Sequence, residues 1–256
     1  MSRSRHDEGR RERKKEAEGG RPVAPVPGTS VAIAVVTASR TLSHAEARAV
    51  YDRIGRGQDT QAFYEDPALD TLVAHGDFGE ASTILEMGCG TGRLAERLLH
   101  DHCPPKARYV GLDLSSRMVE IARDRIASFG DRAEVVLTDG RLGGDRPSAS
   151  QDRVVATYLL DLLGDEDIRA FLTEAHRLLR DDGRLCVAGL TRGETVLGRA
   201  VSTFWTHLHV RRPHWVGGCR PLRIRPLVAL GPWTILHREI VRAWGVPSEV
   251  LVATPT

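Results

Sequence analysis

Residues 84–95 read ILEMGCGTGRLA, and the fold turns on how they are taken. An apolar pair, Ile84 and Leu85, runs into the acid Glu86, and glycine then fills alternate positions 88, 90 and 92. Beyond Thr91 the apolar residues Leu94, Leu98 and Leu99 recur at helical spacing. The stretch predicts a strand, a tight glycine turn and a helix. Glycines suit such a turn because they accept positive φ and let a ligand approach bare backbone. The helix that follows offers unpaired N–H groups and the positive end of its dipole, a setting for an anion or the polar part of a nucleotide. A turn of this density can also be purely structural, so the neighbouring residues have to decide.

They extend the pattern. Residues 109–113, Tyr-Val-Gly-Leu-Asp, predict a second apolar strand that ends in Asp113, about 20 residues beyond Gly92. An acid in that place can accept both hydroxyls of an adenosine ribose. The nicotinamide fingerprint G-x-G-x-x-G is not met, because its third glycine position falls on Arg93. Ser115 or Ser116 then caps a helix with Met118, Ala122 and Ile126 inward, stopped by Gly130. EVVLTD forms the next strand, to Asp139 and Gly140, and RVVATYLLDLL the one after, with Thr157, Tyr158 and Asp161 beyond it. A helix opens near Asp165, buries Ile168, Phe171, Leu172, Ala175 and Leu179, and is expected to end at Asp182-Gly183 before the strand RLCVAGL. Short connections between alternating strands and helices imply a parallel sheet covered on both faces. Ligands in such sheets bind beyond the carboxyl ends of the strands, where Glu86, Asp113, Asp139 and Tyr158 all fall.

The run G-x-G-x-G with Glu86 upstream, then Asp113 and Asp139, resembles the class I S-adenosylmethionine-dependent methyltransferases, strongly over residues 84–190 and loosely over 45–254. The resemblance implies an α/β, Rossmann-like doubly wound sheet, mostly parallel with an antiparallel last strand and helices on both faces. The closing segment WTILHREIVRAWGVPSEVLVATP reads as two strands joined around Gly245-Val246-Pro247 and matches that final hairpin. It further implies S-adenosyl-L-methionine as cofactor. The expected contacts are Glu86, Gly88, Cys89, Gly90, Thr91, Gly92, Asp113, Leu114, Met118, Gly140 and Thr157, with Asp139 accepting the adenine amine. Tyr64, Tyr158 and Asp161 are the candidates near the reacting methyl, the tyrosines as aromatic neighbours of a sulfonium and Asp161 as a base. His207, His209 and His214 are further candidate bases.

Residues 1–21 carry eight Lys/Arg against five Asp/Glu, or +3, which leaves −1 for the rest of a chain of net charge +2. The body therefore lacks the basic footprint of a nucleic-acid binder. After the fourth strand the chain reads Thr157-Tyr158-Leu159-Leu160, not the N-P-P-Y or D-P-P-Y of amide and nucleobase methylases. Both features point to a small-molecule or lipid acceptor, with loose similarity to quinone and phospholipid head-group methylases. A non-catalytic module that keeps the cofactor fold is the alternative. So is another adenosine-cofactor enzyme, a nicotinamide oxidoreductase or a relative of the aminopropyl transferases.

Residues 1–30 read as a disordered basic arm, and 31–66 as an N-terminal arm and lid helix capped by Ser43. Residues 67–256 are expected to form the cofactor-binding domain, with an acceptor-side insertion at about 193–222. The lid segment carries Tyr51, Phe63 and Tyr64, and the insertion a helix over 195–210 with Trp205, then Trp215 and Arg220; together they are expected to roof the acceptor pocket. The apolar run 31–38 follows about 30 mostly hydrophilic residues, too many for the start of a secretory signal, and reads as a strand or arm. Four scattered cysteines with no C-x-x-C suggest a reducing, cytoplasmic setting. His100, His102 and Cys103 lack a fourth ligand and read as a solvated helix end, not a metal site. No run approaches the ~20 apolar residues of a membrane span, though the basic arm suits contact with an anionic surface.

Overall fold

A computed structural model describes residues 41–142, 144–192 and 219–256, all within the compact unit Ser39–Thr256. The predicted arm at 1–30, the run 31–38, the helix at 195–210, Trp205, Trp215 and the three candidate histidines lie outside the described residues.

Seven strands form one sheet in the order β3-β2-β1-β4-β5-β7-β6. The strands are β1 (Thr83–Met87), β2 (Arg108–Asp113), β3 (Ala133–Leu137), β4 (Gln151–Thr157), β5 (Leu179–Leu190), β6 (Trp233–Ala243) and β7 (Val246–Pro255). The first five run parallel. β7 runs antiparallel between β5 and β6. The expected mostly parallel sheet with an antiparallel finish is what forms.

The helices are α1 (His44–Ile54), α2 (Ala62–Gly76), α3 (Arg93–Arg97), α4 (Ser116–Ile126), α5 (Asp165–Leu178) and α6 (Ile224–Val228), with a 3-10 segment Gly55–Gln61 between α1 and α2. Neighbouring strand residues point to opposite faces, and the core divides accordingly. Ile84, Val155 and Cys186 pack with α2, α3 and α4 on one face. Leu85, Val154 and Leu185 pack with α5 and α6 on the other. Burial on both faces is why the strands read as unbroken apolar runs.

Capping follows the sequence closely. Ser43 Oγ accepts the Glu46 N–H at 3.3 Å while a Glu46 carboxylate oxygen accepts the Ser43 N–H at 2.9 Å, a reciprocal box at the start of α1. Ser115 Oγ accepts the Met118 N–H at 3.1 Å at the start of α4. α1 is stapled to the β2–α4 connection, because Arg48 Nε donates to the Leu114 carbonyl and Ser115 Oγ donates to Asp52.

Three boundaries differ from expectation. α3 is one short turn that widens into a π turn over Leu98–His102, so the dipole behind the glycine loop is short. β3 ends at Leu137, which leaves Asp139 in the turn beyond. α5 ends at Leu178, and Asp181-Asp182-Gly183 belong to β5. There the pairing with β4 steps from Gln151–Leu179 to Arg153–Arg184, so the acid–glycine signal marks a bulge, not a helix stop.

Candidate functional site

The loop between β1 and α3 is pinned to the neighbouring strand. Gly88 and Cys89 donate their N–H groups to the Leu112 carbonyl at 2.7 and 3.1 Å. Gly90 donates to Asp113 Oδ2 at 2.9 Å, and Asp113 Oδ1 accepts the Ser115 N–H at 2.9 Å. The same carboxylate lines the larger of two cavities at this loop. Burial pushes this carboxyl above its ordinary range, against the pull of the backbone N–H groups.

The loop glycines have different neighbours. A Cβ on Gly92 would stand 3.0 Å from the Ala122 Cβ, and one on Gly88 would stand 3.0 Å from a Leu159 methyl. Both make room for close packing of protein. A Cβ on Gly90 would instead lie 3.4 Å from the side-chain oxygen of Gln58, a residue of the 3-10 segment. That segment is tied down next to Gln58: Thr91 Oγ1 donates to Asp59 at 2.5 Å, and Arg125 donates to both Thr91 Oγ1 and Asp59.

Two cavities meet at this loop and share Gln58, Gly88, Gly90, Thr157 and Tyr158. The first, about 660 Å³, is mainly apolar, with Leu42, Ala47, Leu114 and Leu162 around the one carboxylate of Asp113. The second, about 420 Å³, is lined by Asp59, Glu65, Glu86 and Arg93. In it Glu86 accepts the Tyr109 hydroxyl at 2.6 Å and that of Thr157 at 3.5 Å, and burial raises its carboxyl to about 7. Arg93 forms ion pairs with Glu65, at 2.8 Å, and with Asp66. Burial raises Glu65 to about 7 as well, the arginine notwithstanding.

Of the residues expected around a methyl group, Tyr64 and Tyr158 meet edge to face with ring centroids 5.9 Å apart. Their hydroxyls are engaged: Tyr64 donates to Gln61 at 3.0 Å, and Tyr158 shares a hydrogen bond with Ser248 at 2.9 Å. Tyr158 leaves β4 at φ 52°, which turns its ring into the shared wall. Asp161 stands behind that wall. It is buried, it accepts the Leu190 N–H at 3.3 Å, and its other oxygen is buried without a hydrogen-bond partner on the side of Gly189. Burial raises it to about 7.

Other expected residues are placed differently. Asp139 is exposed, and its carboxylate accepts the Arg141 N–H at 3.1 Å. It lines an outer groove of about 1490 Å³ with Gly140 and His44. His44 lies over Gly140, where a Cβ would come within 2.7 Å of the imidazole. Met118 is fully buried, and Cys89 Sγ fills the space beside Gly111. Arg220, expected in the roof, is buried and donates to the Leu163 carbonyl at 2.8 Å and to Asp165 at 3.1 Å. Its guanidinium therefore secures the start of α5.

Gln58, Asp59, Glu65 and His44 line the site without having been singled out from the sequence. Only their position in the lid segment pointed to them. Asp59 and Thr91 are 32 residues apart, and no local spacing encodes such a contact.

Residues 84–183 match the family described as "Methyltransferase domain". The chain is 35% identical over 121 residues to a malonyl-[acyl-carrier protein] O-methyltransferase of Hahella chejuensis, covering 47% of this chain and 41% of that protein. It is 30% identical over 126 residues to a tRNA N(3)-methylcytidine methyltransferase of Drosophila melanogaster, covering 48% and 39%. The chain thus spans about two-fifths of the length of these curated relatives. Among solved structures, the mitomycin 7-O-methyltransferase MmcR is similar with a TM-score of 0.63 at 20% identity, covering 83% of this chain and 59% of that one. The [4+2]-cyclase SpnF has a TM-score of 0.64 at 17% identity, covering 84% and 97%. These last two likenesses are of fold.

Proposed function

We propose that the chain, whose residues 84–183 match the methyltransferase domain, is a class I S-adenosylmethionine-dependent methyltransferase that moves a methyl group from S-adenosyl-L-methionine to a small-molecule or lipid acceptor. The observation that carries the reading is the meeting of two unlike cavities at Gly90. The apolar one, with Asp113, suits an adenosine whose ribose hydroxyls need an acceptor. The charged one, with Glu65, Glu86 and Arg93, suits a zwitterionic amino acid. A molecule that joins those two halves must cross bare backbone between them, which a glycine allows.

When bound, the cofactor supplies an electrophilic methyl on a sulfonium. What the protein adds is position, which can be worth ~7–11 kcal/mol in a transfer of this kind. In this reading Asp113 and Leu114 hold the nucleoside, and Glu86, Gly88, Cys89, Gly90, Thr91, Gly92 and Thr157 shape the amino-acid side. Met118 acts from the core, setting the start of α4. Asp139 and Gly140, beside His44, close the adenine end. Tyr158 contributes ring surface and Tyr64, which lines neither cavity, supports that ring edge to face; their hydroxyls are spoken for and burial raises both phenols. Asp161 is a positioning residue: its carboxylate holds the Leu190 N–H and its carbonyl holds the Arg220 N–H at 3.0 Å.

A small-molecule or lipid acceptor agrees with the slightly acidic body and with what the Hahella relative is named for. No described helix is long and apolar enough to cross a membrane. The four cysteines form no disulfide among the described residues, which fits work in the cytoplasm. Calorimetry with S-adenosylmethionine, S-adenosylhomocysteine and NAD tests the cofactor. The first two should bind and NAD should not; tight binding of NAD alone would overturn the reading. A metabolite and lipid screen with a labelled methyl donor then identifies the acceptor, and binding without any transfer would favour a non-catalytic module.

A further inference from the structure

We propose that Gln58 is a cofactor-binding residue, whose amide oxygen accepts a hydrogen bond from the α-ammonium of the amino-acid half where the two cavities meet. The inference rests on the cofactor assignment above. Its first support is an orphan: the Gln58 side-chain oxygen is buried and has no hydrogen-bond partner. Buried polar atoms are paired in the great majority of cases, so one that is not calls for a ligand or another explanation.

Location supplies the second support. Gln58 lines both cavities, and its oxygen lies 3.4 Å from where a Cβ on Gly90 would stand. Gln58 thus stands against the bare backbone of Gly90 in the wall that the two cavities share, with Gly88, Thr157 and Tyr158 as the other shared residues. The adjacent Asp59, bound to Thr91 and Arg125, holds Gln58 at that junction.

The third is chemical. The carboxylates of the charged cavity already have partners: Asp59 has Thr91 and Arg125, Glu65 has Arg93, and Glu86 has Tyr109 and Thr157. An entering ammonium is drawn by that acidic surround and finds in Gln58 the oxygen whose acceptor positions are unused. Nitrogen donates and the amide oxygen accepts, so both groups are satisfied.

The test compares two ligands by calorimetry on the full chain: S-adenosylhomocysteine, and 5′-methylthioadenosine, which lacks the amino-acid half. In Gln58→Leu the homocysteine ligand should lose roughly ten- to a hundredfold in affinity, as for a hydrogen bond to a charged group. Methylthioadenosine should bind as it does to the unaltered protein. Gln58→Ala, which only trims an already half-exposed side chain, must show the same split. Equal losses for both ligands would mean that Gln58 merely shapes the loop, and no loss for either would remove it from the site; both outcomes overturn the inference. If the unaltered chain binds neither ligand, the cofactor assignment itself falls, and the inference with it.

Discussion

The carboxylate of Asp113 at the end of β2 accepts the backbone N–H of Gly90 at 2.9 Å, so the second strand holds the loop that follows the first. One side chain thereby shapes the glycine turn and lines the apolar cavity. Loop geometry and ligand recognition are coupled through it.

Replacing Asp113 by alanine should therefore weaken two properties together. S-adenosylhomocysteine affinity should fall roughly ten- to a hundredfold, and stability by ~1–3 kcal/mol, as the N–H groups of Gly90 and Ser115 lose their acceptor. Asp113→Asn, which keeps one acceptor oxygen, should fall between. Calorimetry and urea unfolding measure the two effects, and an alanine variant of unchanged affinity would remove Asp113 from the site.

The glycines should separate by consequence. Gly92→Ala forces a methyl against Ala122 of α4, 3.0 Å from its Cβ and 3.1 Å from its Cα. It should cost ~1–3 kcal/mol of stability. Gly90→Val meets Gln58 instead and places a β-branched residue at φ 54°. We expect it to abolish cofactor binding while the sheet still folds. Melting curves and ligand titration on both variants check the contrast, and normal binding by Gly90→Val would make the turn structural only.

Glu86 should write its burial into the pH dependence of stability. Its carboxyl titrates near 7 in the folded chain against an ordinary value of 4.5. The folded state thus holds the proton more tightly, and this residue's share of stability falls as pH rises from about 4.5 to about 7, then stays level. Gln keeps an oxygen for the Tyr109 hydroxyl but has no proton to lose. Relative to the unaltered protein, Glu86→Gln should gain up to about 3 kcal/mol by pH 8 and nothing near pH 4.5. Urea midpoints across that range decide it; a difference that does not change with pH would sink the assignment.

Arg220 should behave as a structural residue. Its guanidinium holds Leu163 and Asp165 from a buried position, and breaking such contacts typically costs ~1–3 kcal/mol. Arg220→Ala should lower the melting temperature and leave S-adenosylhomocysteine affinity within a few-fold. Loss of acceptor turnover with full thermal stability would restore it to the pocket.

The sheet was legible because the central strands β1, β4 and β5 send apolar residues to two buried faces, and because the glycine run, Asp113 and Tyr158 recur at strand ends. Those signals are local. What escaped depends on contacts distant in sequence or on competing local chemistry. Gln58 and Asp59 meet the loop only after α1 is stapled to Leu114 and Ser115. Asp139 lies two residues past the end of β3, exposed in a turn where its carboxylate accepts the Arg141 N–H, a local turn contact that the strand pattern does not encode. Asp181-Asp182-Gly183 has the composition of a helix end, but β4 runs alongside and the chain bulges there instead.

The clasp of Asp59, Thr91 and Arg125 bears on timing as well as shape. It fastens the 3-10 segment that carries Gln58 to the glycine loop that carries Gly90, so the two sides of the junction between the cavities are tied to each other. Salt screens a partly exposed ion pair more than buried hydrogen bonds. If ligand exchange requires that tie to open, raising the ionic strength will speed exchange more than it weakens affinity, and an exchange rate indifferent to salt would separate the two.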